Sequence, residues 1–562
     1  MRKLFIIVLC CVAVLLAGYA GYRGYKVGKN KHLMSLGRDF LAKSDRRNAA
    51  LTVQEVLHSD PKNVDALRMM AQLAEASRSP STLVWRSRVV ELAPHSLPDR
   101  LALAETALTM RDYATATNAL EGVDAADRET AAYHNIAGMV AASTGRPDEA
   151  EAHFQAVSRL EPQNPSPQLN LAVVRLHRTN AVELAEARTA LQHLASNPTN
   201  SDLRCKALRE LTLDAMGYGH ADAGLALSKQ LAQEANSTFP DRILRLEVLL
   251  ETKNADFKPT LAGFQREAAT NESKIYELAN WEIAKISTAD ALAWLRSLPM
   301  NMQTNQPATL LIAECCTTTK DWKGLHAWLE KQRWGEMEFI RHAFMSRALR
   351  GQQLTDTAKT EWEQALKSGN VQKQSLVMLF RLAATWNWVN EAEDLLWTIV
   401  NRYPQEKWAR KTLTLALLES GQTRSLMQLF NQELKRSPSD LAAKNNLASM
   451  ALLLDAKELK PYDLAREVYQ QVPTNSSFAT TYAFSLYQQK KSAEALKVMQ
   501  QLKPQELEIP SIAGYYGIIL KAAGDGANAR IYLDKALGKT AAAKAHLLPE
   551  ESKLFAQARK ET

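Results

Sequence analysis

The chain has 562 residues, with 69 Lys+Arg against 61 Asp+Glu and a formal net charge of +8. That length is too great for one compact core, and five cysteines in it exclude a disulfide framework. Low glycine and proline (22 and 20 residues) with abundant Ala, Leu, Glu, Lys and Gln suit an all-α protein.

The basic excess is local. Residues 1–31 hold six Lys or Arg and no acid, leaving 63 basic against 61 acidic residues in the remainder. A nearly neutral body gives no phosphate-tracking surface, so no nucleic-acid partner is expected.

Leu4 to Tyr22 carry no charge and follow Arg2 and Lys3. A run of about 18–20 apolar residues spans a bilayer as a helix, so residues 1–22 are expected to be a signal anchor that holds the chain to the membrane through 4–22. A cleaved signal peptide is the alternative, with Gly18-Tyr19-Ala20 as a poor cleavage site. No cysteine follows Leu16-Ala17-Gly18, which argues against a lipid anchor; Cys10 and Cys11 sit inside the run. Ala13, Ala17 and Gly21 recur every four residues, a spacing that lets two such helices approach and leaves a homo-oligomer open. The linker 23–32 carries Arg23, Lys26, Lys29 and Lys31, suited to anionic headgroups. These flanks favour a cytoplasmic body, whereas a short basic start favours export; the exoplasmic, periplasmic side is preferred.

Beyond residue 33 one spacing recurs: Ala, a bulky residue four on, and an apolar residue three further. It is faint in Ala49/Val53/Val56 and Ala116/Leu120/Val123, and clear in Ala150/Phe154/Val157 and Ala358/Trp362/Ala365. It continues in Ala392/Leu396/Ile399, Ala465/Tyr469/Val472, Ala495/Met499/Leu502 and Ala529/Leu533/Ala536. Offsets of four and three put all three side chains on one helix face. Two copies show a longer unit: Gly138, Gly145, Ala150, Phe154 and Pro162, matched in its first four members by Gly517, Gly524, Ala529 and Leu533, with Ala536 three residues on. The first glycine belongs where two helices cross, the second in the turn between them. Pro162, Pro404 and Pro438 end second helices, the last two 34 residues apart. Leu547 to Lys560 opens with Pro549-Glu550-Glu551, suited to a helix start, and carries Leu554 and Phe555 on one face.

With Asp112, Tyr113 and Ala116 around one turn, this pattern resembles the tetratricopeptide repeat, a helix-turn-helix unit of about 34 residues. The resemblance implies a right-handed α-solenoid of about fifteen repeats behind the transmembrane helix. Its parts would be an N-terminal array (33–200), degenerate Trp-rich repeats or a helical insert (201–370), a C-terminal array (371–545), and a capping helix with tail (546–562) that covers the last apolar face. Protein partners are expected on the concave surface of first helices. There the family's Asn-Leu-Gly/Ala motif contacts an extended peptide; Asn170-Leu171-Ala172 and Asn446-Leu447-Ala448 match it, making Asn170 and Asn446 candidate groove residues, or simply solvated polar ones. Arg175 and Lys444 lie near them but outside the family's carboxylate-clamp positions.

No enzyme motif survives: no His-Glu-x-x-His, no phosphate-binding glycine loop and no Gly-x-Ser-x-Gly. Gly217-Tyr218-Gly219 reads as a helix-helix turn. No catalytic residue, cofactor or metal site is expected. Cys315 and Cys316 are adjacent on an expected first helix, Leu310 to Thr317, one thiol buried and one partly exposed. Trp322, Trp328 and Trp334, near Trp294, form a candidate interaction surface, or replace smaller core residues in a drifting repeat. The expected function is a non-enzymatic membrane scaffold in envelope assembly or polysaccharide or protein export. The envelope role is an implication of the resemblance alone. A carbohydrate- or peptidoglycan-binding receptor, and a cytoplasmic regulator of a membrane-associated enzyme, remain open.

Overall fold

The Ala-x3-bulky-x2-apolar spacing becomes a packing rule in space. Ala150, Phe154 and Val157 are all at most 2 % exposed, as are Ala529, Leu533 and Ala536. The faint copy Ala49/Val53/Val56 is equally buried. Small residues on the partner helix allow the crossing: a Cβ on Gly138 would lie 2.7 Å from the Phe154 ring, and one on Gly517 2.7 Å from the Leu533 side chain. Ala392 and Tyr469 are only half-buried, and at one position the spacing fails outright. Val472 is 36 % exposed, because the helix Pro461–Gln471 stops one residue earlier and Val472 takes a non-helical cap conformation.

The computed structural model describes residues 24–43, 45–76, 79, 81–369, 372–538 and 547–562. The predicted membrane span, residues 4–22, lies outside them. Among the described residues no helix is long and apolar enough to cross a membrane, and no strand occurs.

The chain divides into two compact units, Met1–Thr309 and Leu310–Thr562. Among the described residues the first holds eight helix pairs, from the helix at residues 24–42 with Arg46–Ser59 to Glu272–Lys285 with Thr288–Ser297. The second holds seven, from Ala308–Thr318 with Trp322–Glu330 to Pro510–Ala522 with Gly526–Ala536, followed by the single helix Pro549–Lys560. The Trp-rich stretch is also built of such pairs, among them Glu338–Gly351 with Thr355–Gly369.

Most turns within a pair close in one way. In the final pair the Asp525 amide donates to the Leu520 carbonyl over 3.0 Å, Gly524 has φ +92°, and the Asp525 carboxylate accepts from the Asn528 amide to cap the next helix. This is the 6→1 bond of a helix ended by a left-handed residue. Gly145 serves likewise at φ +73°, but several turns place Arg111, Lys253, Lys320, Gln353, Asn387 or Lys490 there. These side chains bear a conformation that costs them about 1–2 kcal/mol, which the closed turn over-determines.

The helix Pro549–Lys560 covers the apolar face of the final pair. Phe555 has no exposed surface, and its ring lies where a Gly514 side chain would be. The Tyr515 hydroxyl donates to Glu551 at 2.8 Å, and the Glu551 carboxylate also accepts from the Leu548 amide.

The crossing rule generates a stability prediction. Gly517→Val would drive two methyls into Leu533, whose backbone nitrogen lies 3.1 Å from the new Cβ. A loss of about 1–3 kcal/mol is expected, read by urea denaturation; an unchanged midpoint would refute the tight crossing.

Candidate functional site

First helices of successive pairs lie side by side, so residues about one repeat apart in sequence meet on one face. In the first unit Asn170, on Ser166–Leu176, donates through Nδ2 to Asn135 Oδ1 of Ala131–Ser143 at 3.4 Å; both are half-buried. Arg175 is already neutralised, with Nε and Nη2 on Glu151 Oε1 at 3.0 and 2.6 Å. In the second unit Asn446 is half-buried while its neighbour Asn445 is buried and donates to Ser477 Oγ at 3.3 Å. Lys444 is bound to Glu467 at 2.5 Å. Neither cation beside the candidate asparagines is therefore free for a ligand carboxylate.

The candidate tryptophans do not assemble with one another. Trp334 is buried, its ring centroid 6.3 Å from that of Phe344. Trp328 is half-buried with its indole N–H enclosed and unpartnered. Trp322 is half-buried and fills the space beside Gly351. Trp294 is a core residue of the other unit. Trp322 instead joins Trp386 and Trp388 around Arg347. The guanidinium carbon of Arg347 stands 5.3, 5.8 and 5.7 Å from the three ring centroids. Arg350 lies 3.8 Å over Trp388 and is bonded to Glu391.

Local structure explains this placement. Lys320 and Asn387 turn the chain at φ +57°, setting Trp322 and Trp388 at the starts of second helices, while Arg347 projects from the first helix Glu338–Gly351 between them. Its Nε is buried without a hydrogen bond. Burial, then the charge of Arg350, pushes its pKa down. Among the described residues no carboxylate lies within 4 Å of it. A guanidinium keeps its charge in such a place by facing indole π-clouds.

Two repeats on, the helix Lys407–Glu419 has an inverted surface. Ala409, Leu413 and Leu417 are fully buried, whereas Trp408, Leu415 and Leu418 are 38, 49 and 41 % exposed. Lys407 and Lys411 are exposed on the same helix. Phe380 of the preceding first helix packs on Trp408 with centroids 5.7 Å apart. The Trp408 indole N–H donates to Glu406 at 2.9 Å, and Lys373 holds the Glu406 carboxyl below its ordinary range. Arg381, between Phe380 and Leu382, is exposed. The reading of residue types missed Arg347, Arg381, Trp386 and Trp408. The signal was present: Arg347, Arg381 and Leu415 are spaced by 34 residues.

Other reactive groups are enclosed. Cys315 and Cys316 are both buried on Ala308–Thr318, not one buried and one partly exposed, because the enclosed arc of the helix is wide and takes in Leu311, Ile312 and Ala313 as well. Burial pushes the Cys315 thiol up to about 12. His134 and His153 meet Nδ1 to Nδ1 at 2.8 Å; burial, then His134, lowers the His153 pKa. Among the described residues no group of three or more His, Cys, Asp or Glu is arranged to hold a metal ion.

Comparison with known proteins gives one family match: residues 101–165 fit a family model described as tetratricopeptide repeat. No curated protein matches the chain. Among solved structures it is similar to one from a functional characterisation of Pseudomonas aeruginosa pilF (16 % identity, 40 % of this chain and 99 % of that one, TM-score 0.30). It is similar to a chain of the APC/C hetero-tetramer Cut9-Hcn1 (12 %, 94 % and 96 %, TM-score 0.25). A chain from the structure of Naa15/Naa10 bound to HypK-THB is also similar (12 %, 97 % and 93 %, TM-score 0.28). At these TM-scores the backbones do not superpose as wholes.

One enclosed carboxyl makes stability depend on pH. Glu282 has no exposed surface; Gln265 donates to one oxygen at 2.9 Å and the other oxygen has no partner. Burial pushes its pKa from 4.5 to about 7. The fold favours the protonated form, so this contribution is present in full below pH 4.5 and is lost as pH rises through about 7. Glu282→Gln is expected to raise stability at pH 8 by on the order of 3 kcal/mol and to change little at pH 4. Chemical denaturation at both pH values checks it; an equal gain at both would remove the ionisation account.

Proposed function

We propose that this chain, a tetratricopeptide repeat protein, is a non-enzymatic scaffold that docks protein partners on the faces made by its first helices. The observation that carries the reading is the exposed stripe Trp408, Leu415 and Leu418 on a helix whose opposite face is fully buried. A stripe of that kind costs about 25 cal/mol for each Å² left in water, and such patches mark interaction sites. Trp408, Leu415 and Leu418 bear little packing load within the chain, so their chemistry is free to suit a partner.

The finer reading is a right-handed winding of the repeats and an anchor at residues 4–22, with the body on the exoplasmic side and a role in envelope assembly or export. Its support is the uncharged run between Arg2-Lys3 and the basic linker from Arg23. Protease treatment of intact spheroplasts, with N-terminal sequencing of the same sample, tests the placement. Digestion from outside with Met1 retained is the expected result; protection until lysis would move the body to the cytoplasm and favour a regulator.

The docking face has its own test. Full-length chain and its W408A/L415A/L418A variant would each be cross-linked in native membranes and the attached proteins identified. Loss of at least one partner in the variant, with an unchanged circular dichroism spectrum, is expected. Identical partner sets would remove this face from the function.

A further inference from the structure

Positions of the second unit's first helices form a ladder. Arg347, Arg381, Leu415 and Ser449 are 34 residues apart, and Phe484 and Ile518 follow after 35 and 34. The ladder changes character along its length. Phe484 and Ile518 are 2 and 1 % exposed, in the half that the helix Pro549–Lys560 lies on. There Leu453, Phe484 and Tyr487 face Leu554 and Gln557 across a shallow hollow, and the Tyr515 and Phe555 rings meet edge to face at 5.1 Å. Upstream, Arg381 and Leu415 stand in solvent.

The covering helix shows what this surface accepts. It is amphipathic, with Leu554 and Phe555 turned to the repeats and a first turn of Pro549-Glu550-Glu551. Its start reaches the turn of the pair that bears the exposed stripe: Glu550 accepts from Thr423 Oγ1, and Pro549 fills the space beside Gly421. The occupant thus ends at the turn that follows Leu418, and beyond it Leu418, Leu415 and Trp408 of the same pair are exposed.

The uncovered half differs from the covered half in charge. Arg347 and Arg381 have no carboxylate within 4 Å among the described residues, and Lys411 is exposed beside Leu415. Packed helices stand about 8–10 Å apart, and a ligand helix advances about 10 Å in seven residues. Carboxylates at i and i+7 of such a helix would therefore reach successive rungs, while its apolar residues lie on Trp408, Leu415 and Leu418. We propose that the uncovered half of this ladder, from Arg347 to Leu418, docks an acidic amphipathic helix of a partner protein. This rests on the scaffold reading and names the chemistry of its partner.

The probe is a labelled 18-residue peptide of Glu, Leu and Phe with carboxylates at i and i+7, beside a counterpart with Lys at every Glu. Fluorescence anisotropy with the full-length chain is expected to show binding of the acidic peptide alone, weakening as salt rises. Arg347→Ala with Arg381→Ala should weaken it at least tenfold. Arg381→Glu alone should do the same without touching the tryptophan cluster. K229A/K258A, which also removes two positive charges but in the first unit, should leave it unchanged. Equal binding of the two peptides, no effect of R381E, or an equal loss in the control variant would each overturn the proposal. If it falls while the W408A/L415A/L418A variant still loses its partner, the scaffold reading stands and only the acidic helix is removed.

Discussion

The close crossing of the two helices in each pair is the constraint on which the rest depends. Gly138 under Phe154 and Gly517 under Leu533 leave no room for a side chain, and Ala104, Ala313, Ala448 and Ala483 stand at the same place before their turns, where other pairs carry larger residues. A fixed crossing, followed by a closed turn, gives each pair nearly the same shape. Pairs then stack on neighbours alone, and length carries no cost in core size. First helices are left side by side, with one face that no packing rule governs.

That freedom shows in the cations. Arg175 and Lys444 are closed off by Glu151 and Glu467, so they stabilise the array and offer nothing outward. Arg347 is held by three indoles instead of a carboxylate. Cation–π contact of this kind contributes about 0.5–2 kcal/mol without neutralising the charge, which is why the position stays electrostatically open. The difference between a structural cation and a binding one lies in its partner, not in its residue type.

The helix Pro549–Lys560 joins the two themes. A helix of this length is marginal alone in water; burial of Phe555 against Gly514 and Tyr515 holds it in place. It closes the apolar end of the ladder with the same kind of surface that the open end lacks. The enclosed carboxyls, Glu282 and Glu551, owe their raised pKa values to burial first, as expected of groups caught inside packed helices rather than tuned for chemistry.

Much of the fold was legible from residue spacing. Ala150/Phe154/Val157, the glycine pair Gly517 and Gly524, and Pro162, Pro404 and Pro438 each mark a feature that the described helices display. Turns held by Arg111 or Lys320 were not legible, since no residue preference signals a left-handed arginine or lysine. The candidate site was barely legible: Asn170 and Asn446 fall on first helices, but Trp322 leaves Trp328 and Trp334 for Trp386 and Trp388, over 60 residues away. What the sequence by itself determined was the repeating unit, because the crossing acts between residues three, four and seven apart and leaves a periodic trace. Tertiary structure alone decided which side chains share a surface, because those contacts join different repeats and depend on how each turn aims the next helix.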